Sequence, residues 1–152
     1  MEKHEDIQYL QDQPTLLLLV KGICTFGIYQ AYYIKRIVDK TNQIIAAEEQ
    51  QIGYIQVYVF ILLSYFTAFT SLSQLWTKLP EDLLLLNQYF SIIWAILAIL
   101  LSFRIGYKLN KHFKLYQIDR TERFHGVWII LFTYLYINYK INKLNKRWDF
   151  VS

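Results

Sequence analysis

The sequence predicts an all-α fold, an integral membrane helical bundle of about four hydrophobic helices, and three observations predict it. Two uncharged apolar runs, 52–76 and 83–103, lie back to back. Each is long enough to cross a hydrocarbon core of roughly 30 Å, which takes about 20 helical residues. Hydrophobic residues make up 55% of the chain, and charged residues hold only 18% where a soluble domain carries about a quarter. Basic residues are also crowded into one stretch: between positions 104 and 147 ten lysines and arginines stand against two acidic residues, whereas the first fourteen residues are net acidic. Residues 1–152 are long enough for one small membrane domain, with an acidic segment 1–13, a basic connection 104–123 and a basic tail 140–152.

The acidic start lacks the basic region of a secretory signal, so the N-terminus is expected to be retained. The first apolar segment, 15–34, opens after Pro14, where a proline suits a helix start. Lys21 and Gly22 interrupt it and Gly27 follows. A lysine at mid-depth costs about 3 kcal/mol unless it snorkels or finds a partner, so this segment is expected to be bent, shallow or packed inside. Lys21 is therefore a candidate intramembrane polar site, with Asn87, Gln88 or Asn138 as partner, and an interfacial anchor is the plainer alternative. Gly27 permits a kink or close helix contact, and Tyr29, Tyr32 and Tyr33 place hydroxyls where water or phosphate can reach them.

Segments 52–76 and 83–103 are joined by a short polar break and form a central antiparallel hairpin. Pro80 opens the second of them, and Glu81 and Asp82 fall in its first turn, favourable to the helix dipole. Ser64, Thr67, Ser71 and Gln74 recur at helical spacing, as do Asn87, Ser91, Ala95, Ala98 and Ser102. Small and polar residues allow close helix approach in lipid, so the two stripes are expected to meet; a water or solute path is the functional alternative. The fourth segment, 124–139, has sixteen residues and is short for a span, though Lys140 can snorkel to extend it.

Lysine and arginine collect on the cytoplasmic side, so the 104–123 side is cytoplasmic and the turn near Lys78 faces outward, in a multi-pass protein of the cell membrane. Four strict crossings send the basic tail outside; re-entrant or interfacial first and fourth segments leave a two-span hairpin and keep it inside. Both topologies fit the hydropathy. Three amphipathic basic extensions leave the apolar segments. Lys35, Arg36 and Lys40 oppose Ile34, Ile37 and Val38; Arg104, Lys108 and Lys111 oppose Ile105, Leu109, Phe113 and Tyr116; Lys140, Lys143 and Arg147 oppose Ile137, Ile141, Leu144 and Trp148. Each is expected to lie along the membrane surface, where anionic lipid contributes about 1 kcal/mol per basic charge. Ordinary cytoplasmic flanks carry the same charges. Interleaved aromatics suit the interface better than base stacking, so nucleic acid is not an expected partner.

Reaction chemistry finds little support. A single cysteine, Cys24, excludes an internal disulfide, and His4, His112 and His125 do not share metal-ligand spacing. The carboxylate pairs Glu48 with Glu49 and Glu81 with Asp82 are adjacent in sequence and do not share a helical face. No catalytic residue, cofactor or metal is predicted. The leading functional expectation is a non-enzymatic accessory or interaction protein whose basic cytoplasmic face binds anionic lipid or a membrane protein partner. A minimal channel or carrier acting as a homo-oligomer is the second class. A lipid-modifying enzyme is the third, and it needs His112, His125 or Asp119 to converge with basic residues.

One stretch carries a family likeness. Pro14 and the leucines after it lead into Thr25-Phe26-Gly27-Ile28-Tyr29-Gln30-Ala31-Tyr32-Tyr33, then into a basic exit with Asp39 and Asn42. This resembles the start of an uncharacterised bacterial family of small membrane proteins, domain of unknown function 4234, with its Thr-x-Gly-Ile-Tyr element and an aromatic residue four positions after the tyrosine, here Tyr33. Tyr139-Lys140-Ile141-Asn142-Lys143 is similar to that family's closing Tyr-x-x-Asn pattern. The resemblance implies a multi-helix integral membrane protein and brings no activity with it.

Overall fold

The computed structural model describes residues 2–45, 51–118 and 120–149, and among them six α-helices exceed one turn and there is no strand. The acidic N-terminal segment forms α1, Glu2–Leu10. It is followed by α2 (Thr15–Cys24), α3 (Ile28–Ile44), α4 (Tyr54–Ser73) and α5 (Glu81–His112). A single turn, α6 (Leu115–Ile118), and a 3₁₀ turn (Arg120–Glu122) lead into α7 (Gly126–Asp149). Glu48, Glu49 and Asp119 lie outside the described residues.

The central hairpin is α4 and α5, packed antiparallel along one side. Pro80 precedes the first turn of α5 and Glu81 and Asp82 lie in it, as the dipole argument requires. The spacing also predicts a separate surface helix after Phe103, but α5 continues unbroken to His112. The reason is packing: Ile105 and Leu109 are buried, and Gly106 sits so close to α7 that an added Cβ would lie 2.9 Å from Ile129 Cδ1. The basic residues after 103 are thus the end of a long helix held inside the body.

Two reversals shape that body. The first lies between α2 and α3 at 25–27. α2 ends with the Gly27 amide donating back to the Gly22 carbonyl at 2.9 Å, a Schellman-type closure with Phe26 at φ 49° and Gly27 at φ 91°. Thr25 then ties both helices, since its hydroxyl donates to the Lys21 carbonyl at 2.8 Å and accepts the Tyr29 amide at 2.9 Å. Gly22 lets α3 approach, because a Cβ there would fall 2.4 Å from Gln30 Nε2. The Thr-x-Gly-Ile-Tyr element is this turn.

The second reversal lies inside α7 at Thr133, whose φ of 44° and ψ of −123° are not helical. A straight helix from Gly126 would carry Arg147 about 32 Å away. Arg147 instead pairs with Glu122, the Lys140 ammonium donates to the Thr121 carbonyl, and the Tyr136 hydroxyl accepts the His125 amide at 3.2 Å. These contacts require the arm before Thr133 and the arm after it to fold back on each other. The fourth apolar segment goes out and returns, and the tail lies beside the 104–123 connection.

Two loops are closed by the same device. Asn42 of α3 brackets the peptide of Ile52 just before α4, accepting its amide at 2.8 Å and donating to its carbonyl at 3.1 Å. Asn110 of α5 does the same for Phe124 just before α7, at 2.8 and 3.1 Å. Both asparagines are buried. Around them the core gathers Tyr33, Ile37, Leu101, Ile105, Ile137 and Ile141, contributed by α3, α5 and α7. α1 seals this core with Ile7 and Leu10, and His112 Nε2 lies 2.9 Å from Asp6. The outer half of the α4–α5 hairpin projects beyond it.

Replacing Asn110 by alanine orphans a buried amide and a buried carbonyl, which should lower stability by about 1–3 kcal/mol per orphaned group, read from the unfolding midpoint. Gln117→Ala, at an exposed position of α6, should leave the midpoint unchanged. Gly27→Ala forces a side chain into left-handed backbone and should cost about 1–2 kcal/mol by the same measurement.

Candidate functional site

The densest polar cluster surrounds the first reversal and is centred on Gln13, in the extended link between α1 and α2. The Gln13 side-chain oxygen accepts from the Tyr29 hydroxyl at 2.9 Å and from the Lys21 ammonium at 3.1 Å. The Tyr29 oxygen itself accepts from Lys21 and from Arg36, each at 3.2 Å. Arg36 completes the set with an ion pair to Asp12 at 2.7 Å. The Lys21 ammonium and the Arg36 guanidinium also stand over the Tyr29 ring at 4.9 and 5.4 Å from its centroid, close enough for cation–π attraction.

The backbone of the same link is held from α7. The Gln13 carbonyl accepts from Asn138 at 2.9 Å and from Asn142 at 3.0 Å, while Asn145 donates to the Gln11 side chain at 2.7 Å. Asn138 also donates to the Thr15 hydroxyl at 3.0 Å and accepts from the buried Tyr33 hydroxyl at 3.1 Å. Lys21 therefore finds its partners in Gln13 and Tyr29 rather than in the expected Asn87, Gln88 or Asn138. The turn at 25–27 folds α2 along α3 and swings Lys21 toward Tyr29, whereas Asn87 is taken by the Thr70 hydroxyl at 2.6 Å and Gln88 is exposed.

Electrostatically the cluster stabilises charge on oxygen. Burial raises the Tyr29 pKa, but hydrogen bonds from Arg36 and Lys21 together with the Arg36 charge outweigh it, so the phenol ionises below the usual tyrosine value. At the next turns of α3, burial lowers the Lys40 pKa against the pull of Asp12, and the hydrogen bond to Asp39 raises that of Lys35. Lys40 donates to the Gln11 carbonyl at 3.1 Å, and Lys35 pairs with Asp39 at 2.8 Å. Among the described residues no three His, Cys, Asp or Glu side chains converge on a common point.

The remaining candidates are scattered by comparison. Ser64 accepts the Trp94 indole N–H at 2.6 Å, and Trp94 stacks on Phe60 with centroids 5.2 Å apart. Thr67 and Ser91 return their hydroxyls to carbonyls of their own helices, and Ser71 is half-buried. Ala98 is buried in the α5 seam, but Ala95, expected on the same face, is exposed; Trp94 fills the contact and rotates Ala95 outward. Of the basic residues, Arg104 donates to Gln56, and Lys111 and Lys143 are exposed while Lys108 is half-buried. Lys140 departs most from expectation. It is buried rather than presented to a membrane surface, because the fold-back at Thr133 places its helix turn against Thr121. Gln13 escaped notice in the sequence, since nothing local marks a link residue as a junction. The spacing of Asn138, Asn142 and Asn145 on one helical face was the available signal.

The family profile described as Domain of unknown function (DUF4234) matches residues 13–111. The match begins at Gln13, takes in the Thr25–Tyr29 turn, and stops before the Tyr139 to Lys143 pattern. No curated protein and no solved structure matches the chain.

Substituting Tyr29 by phenylalanine removes the shared acceptor of Lys21 and Arg36 and should lower stability by about 1–3 kcal/mol. Because the folded pKa of Tyr29 is depressed, its ionisation adds stability that is complete above the unfolded value near 10 and lost as pH falls through the lowered folded value. A wild-type minus Tyr29→Phe difference titration by ultraviolet absorbance should show one phenol ionising below that unfolded value.

Proposed function

The chain belongs to the DUF4234 family, and from that premise we propose that it is an integral membrane protein with two crossings, α4 and α5. On this reading it is a non-enzymatic accessory or interaction protein of the cell membrane. Its body and basic ends lie on the cytoplasmic side, where they meet anionic lipid or a membrane protein partner. The observation that carries the reading is the direction in which the apolar surface points. α4 and α5 are long and apolar enough to span a bilayer, yet only 33% and 6% of their most apolar windows are buried inside the molecule. The core helix of a soluble protein hides such a surface. Here Ile55, Leu62, Phe69, Ile92 and Leu100 face outward along both helices. Monomeric soluble proteins rarely expose continuous apolar patches of this kind, and lipid removes their cost.

The fold-back at Thr133 supports two crossings rather than four. The tail contacts the 104–123 connection through Lys140 with Thr121 and Arg147 with Glu122, so both basic stretches occupy one side and the positive-inside rule is met without conflict. α2 and the first arm of α7 are short, apolar on their outer faces and reversed, in keeping with segments that dip into the bilayer without crossing it. The hydroxyls of Ser64, Thr67 and Ser91 are engaged with their own helices or with Trp94, which favours a packing role over a water path.

Topology reporters test the reading. A fusion after Lys78 should be active only as an extracytoplasmic reporter, and one at Ser152 only as a cytoplasmic reporter. An extracytoplasmic signal at Ser152 would overturn the two-crossing arrangement, and release of the chain from membranes by alkaline carbonate would overturn membrane integration.

A further inference from the structure

Two cavities open side by side where α2 and the link before it face α7. The larger, of about 750 Å³, is walled by Leu19, Trp128, Phe132 and Leu135 and is predominantly apolar. The smaller, of about 430 Å³, is lined by polar and charged side chains including Gln13, Asn142 and Lys146. Thr15, Tyr139 and Lys143 line both, so the two cavities adjoin along these three side chains and are taken together as a groove with an apolar and a polar end. Each volume falls in the range of small-molecule sites.

The polarity of the groove runs with the polarity of the molecule. α2 climbs from Thr15 at the polar end to the 25–27 turn, where Gly27 lies beside Trp94 of α5. α7 descends from Leu135 at the apolar end to Lys143 and Lys146. At the polar end the Asp12 carboxylate is occupied by Arg36, so the two lysines set the sign. Gln13, itself buried, has its side-chain Nε2 without a hydrogen-bond partner among the described residues, because its oxygen and carbonyl take all the contacts described above. That amide nitrogen is sealed from solvent, so the charge of the polar end is carried by the two lysines.

We propose that this groove seats one anionic glycerophospholipid, with an acyl chain along Leu19, Phe132 and Leu135 and its phosphate between Lys143 and Lys146. The inference rests on the membrane reading above, and it replaces a diffuse basic face by a single built site. Charge complementarity selects the occupant, since an uncharged or zwitterionic amphiphile satisfies the apolar end but not the two lysines.

Native mass spectrometry of the purified full chain, released from micelles doped with phosphatidylglycerol or with phosphatidylcholine, counts retained lipids. Wild type should keep one phosphatidylglycerol and retain phosphatidylcholine at least tenfold less. The double variant Lys143→Gln with Lys146→Gln, both at exposed positions, should lose phosphatidylglycerol about tenfold or more, as expected for two basic charges near a phosphate. Leu19→Trp, which fills the apolar end, should lower retention with every charge intact. Equal retention of the two lipids, or a charge variant that holds phosphatidylglycerol as wild type does, would overturn the site. A carbonate wash separates the two failures: a chain that stays in the membrane but keeps no phosphatidylglycerol refutes the groove alone, whereas a chain washed free refutes the membrane reading beneath it.

Discussion

At the first reversal, ahead of α4 and α7 and along the link before α2, the chain leaves a backbone amide or carbonyl without a helical partner, and a side chain meets that need. Thr25 serves the first reversal, Asn42 and Asn110 bracket the peptides ahead of α4 and α7, and Asn138 and Asn142 converge on the Gln13 carbonyl. A buried unpaired backbone group costs about as much as a lost hydrogen bond, and more in surroundings that water does not reach. These four junctions hold the irregular stretches to the helices around them. The apolar helices supply the bulk of the contact, but the asparagines fix which ends meet.

The same constraint explains why the polar cluster sits where it does. α2 and the link before it are not long enough to form a stable unit alone, so they are pinned from three directions: by α3 through Tyr29 and Arg36, by α7 through its asparagines, and by α1 through the continuity of the link. Lys21 and Arg36 bring two cations to one phenol oxygen. In a polar notch this arrangement is held together by the neutral acceptors of Gln13 and the carboxylate of Asp12, so the charges stabilise the turn rather than repel each other. The adjoining groove inherits its basic mouth from the neighbouring turns of α7.

Asymmetry between the two ends of the molecule follows from the composition of the helices. The outer half of the α4–α5 hairpin is held by few polar contacts, Ser64 with Trp94 and Thr70 with Asn87, and by aromatic packing such as Phe66 against Phe90 at 4.8 Å. The inner half is a protein core bounded by ion pairs, Arg36 with Asp12 and Arg147 with Glu122. One end exposes apolar side chains along both helices and the other closes on a protein core, which is the division the proposed membrane placement requires.

The sequence by itself determined the helical class, the central hairpin, the helix start at Pro80 and the break near Gly27, because these follow from local hydropathy, periodicity and backbone permission. It also located the Thr-x-Gly-Ile-Tyr element, although not as a turn that Thr25 ties at both ends. Only the tertiary structure decided that 124–139 returns on itself at Thr133, a threonine that no propensity marks as a corner, and that Lys140 is buried while Lys143, three residues on, is exposed. Only it paired Lys21 with Gln13 and Tyr29 and made a junction of Gln13. Periodicity reports which face of a helix is apolar. Which neighbour that face meets, and which asparagine reaches which carbonyl, depends on contacts more than a hundred residues apart in sequence, as between Asn138 and Gln13.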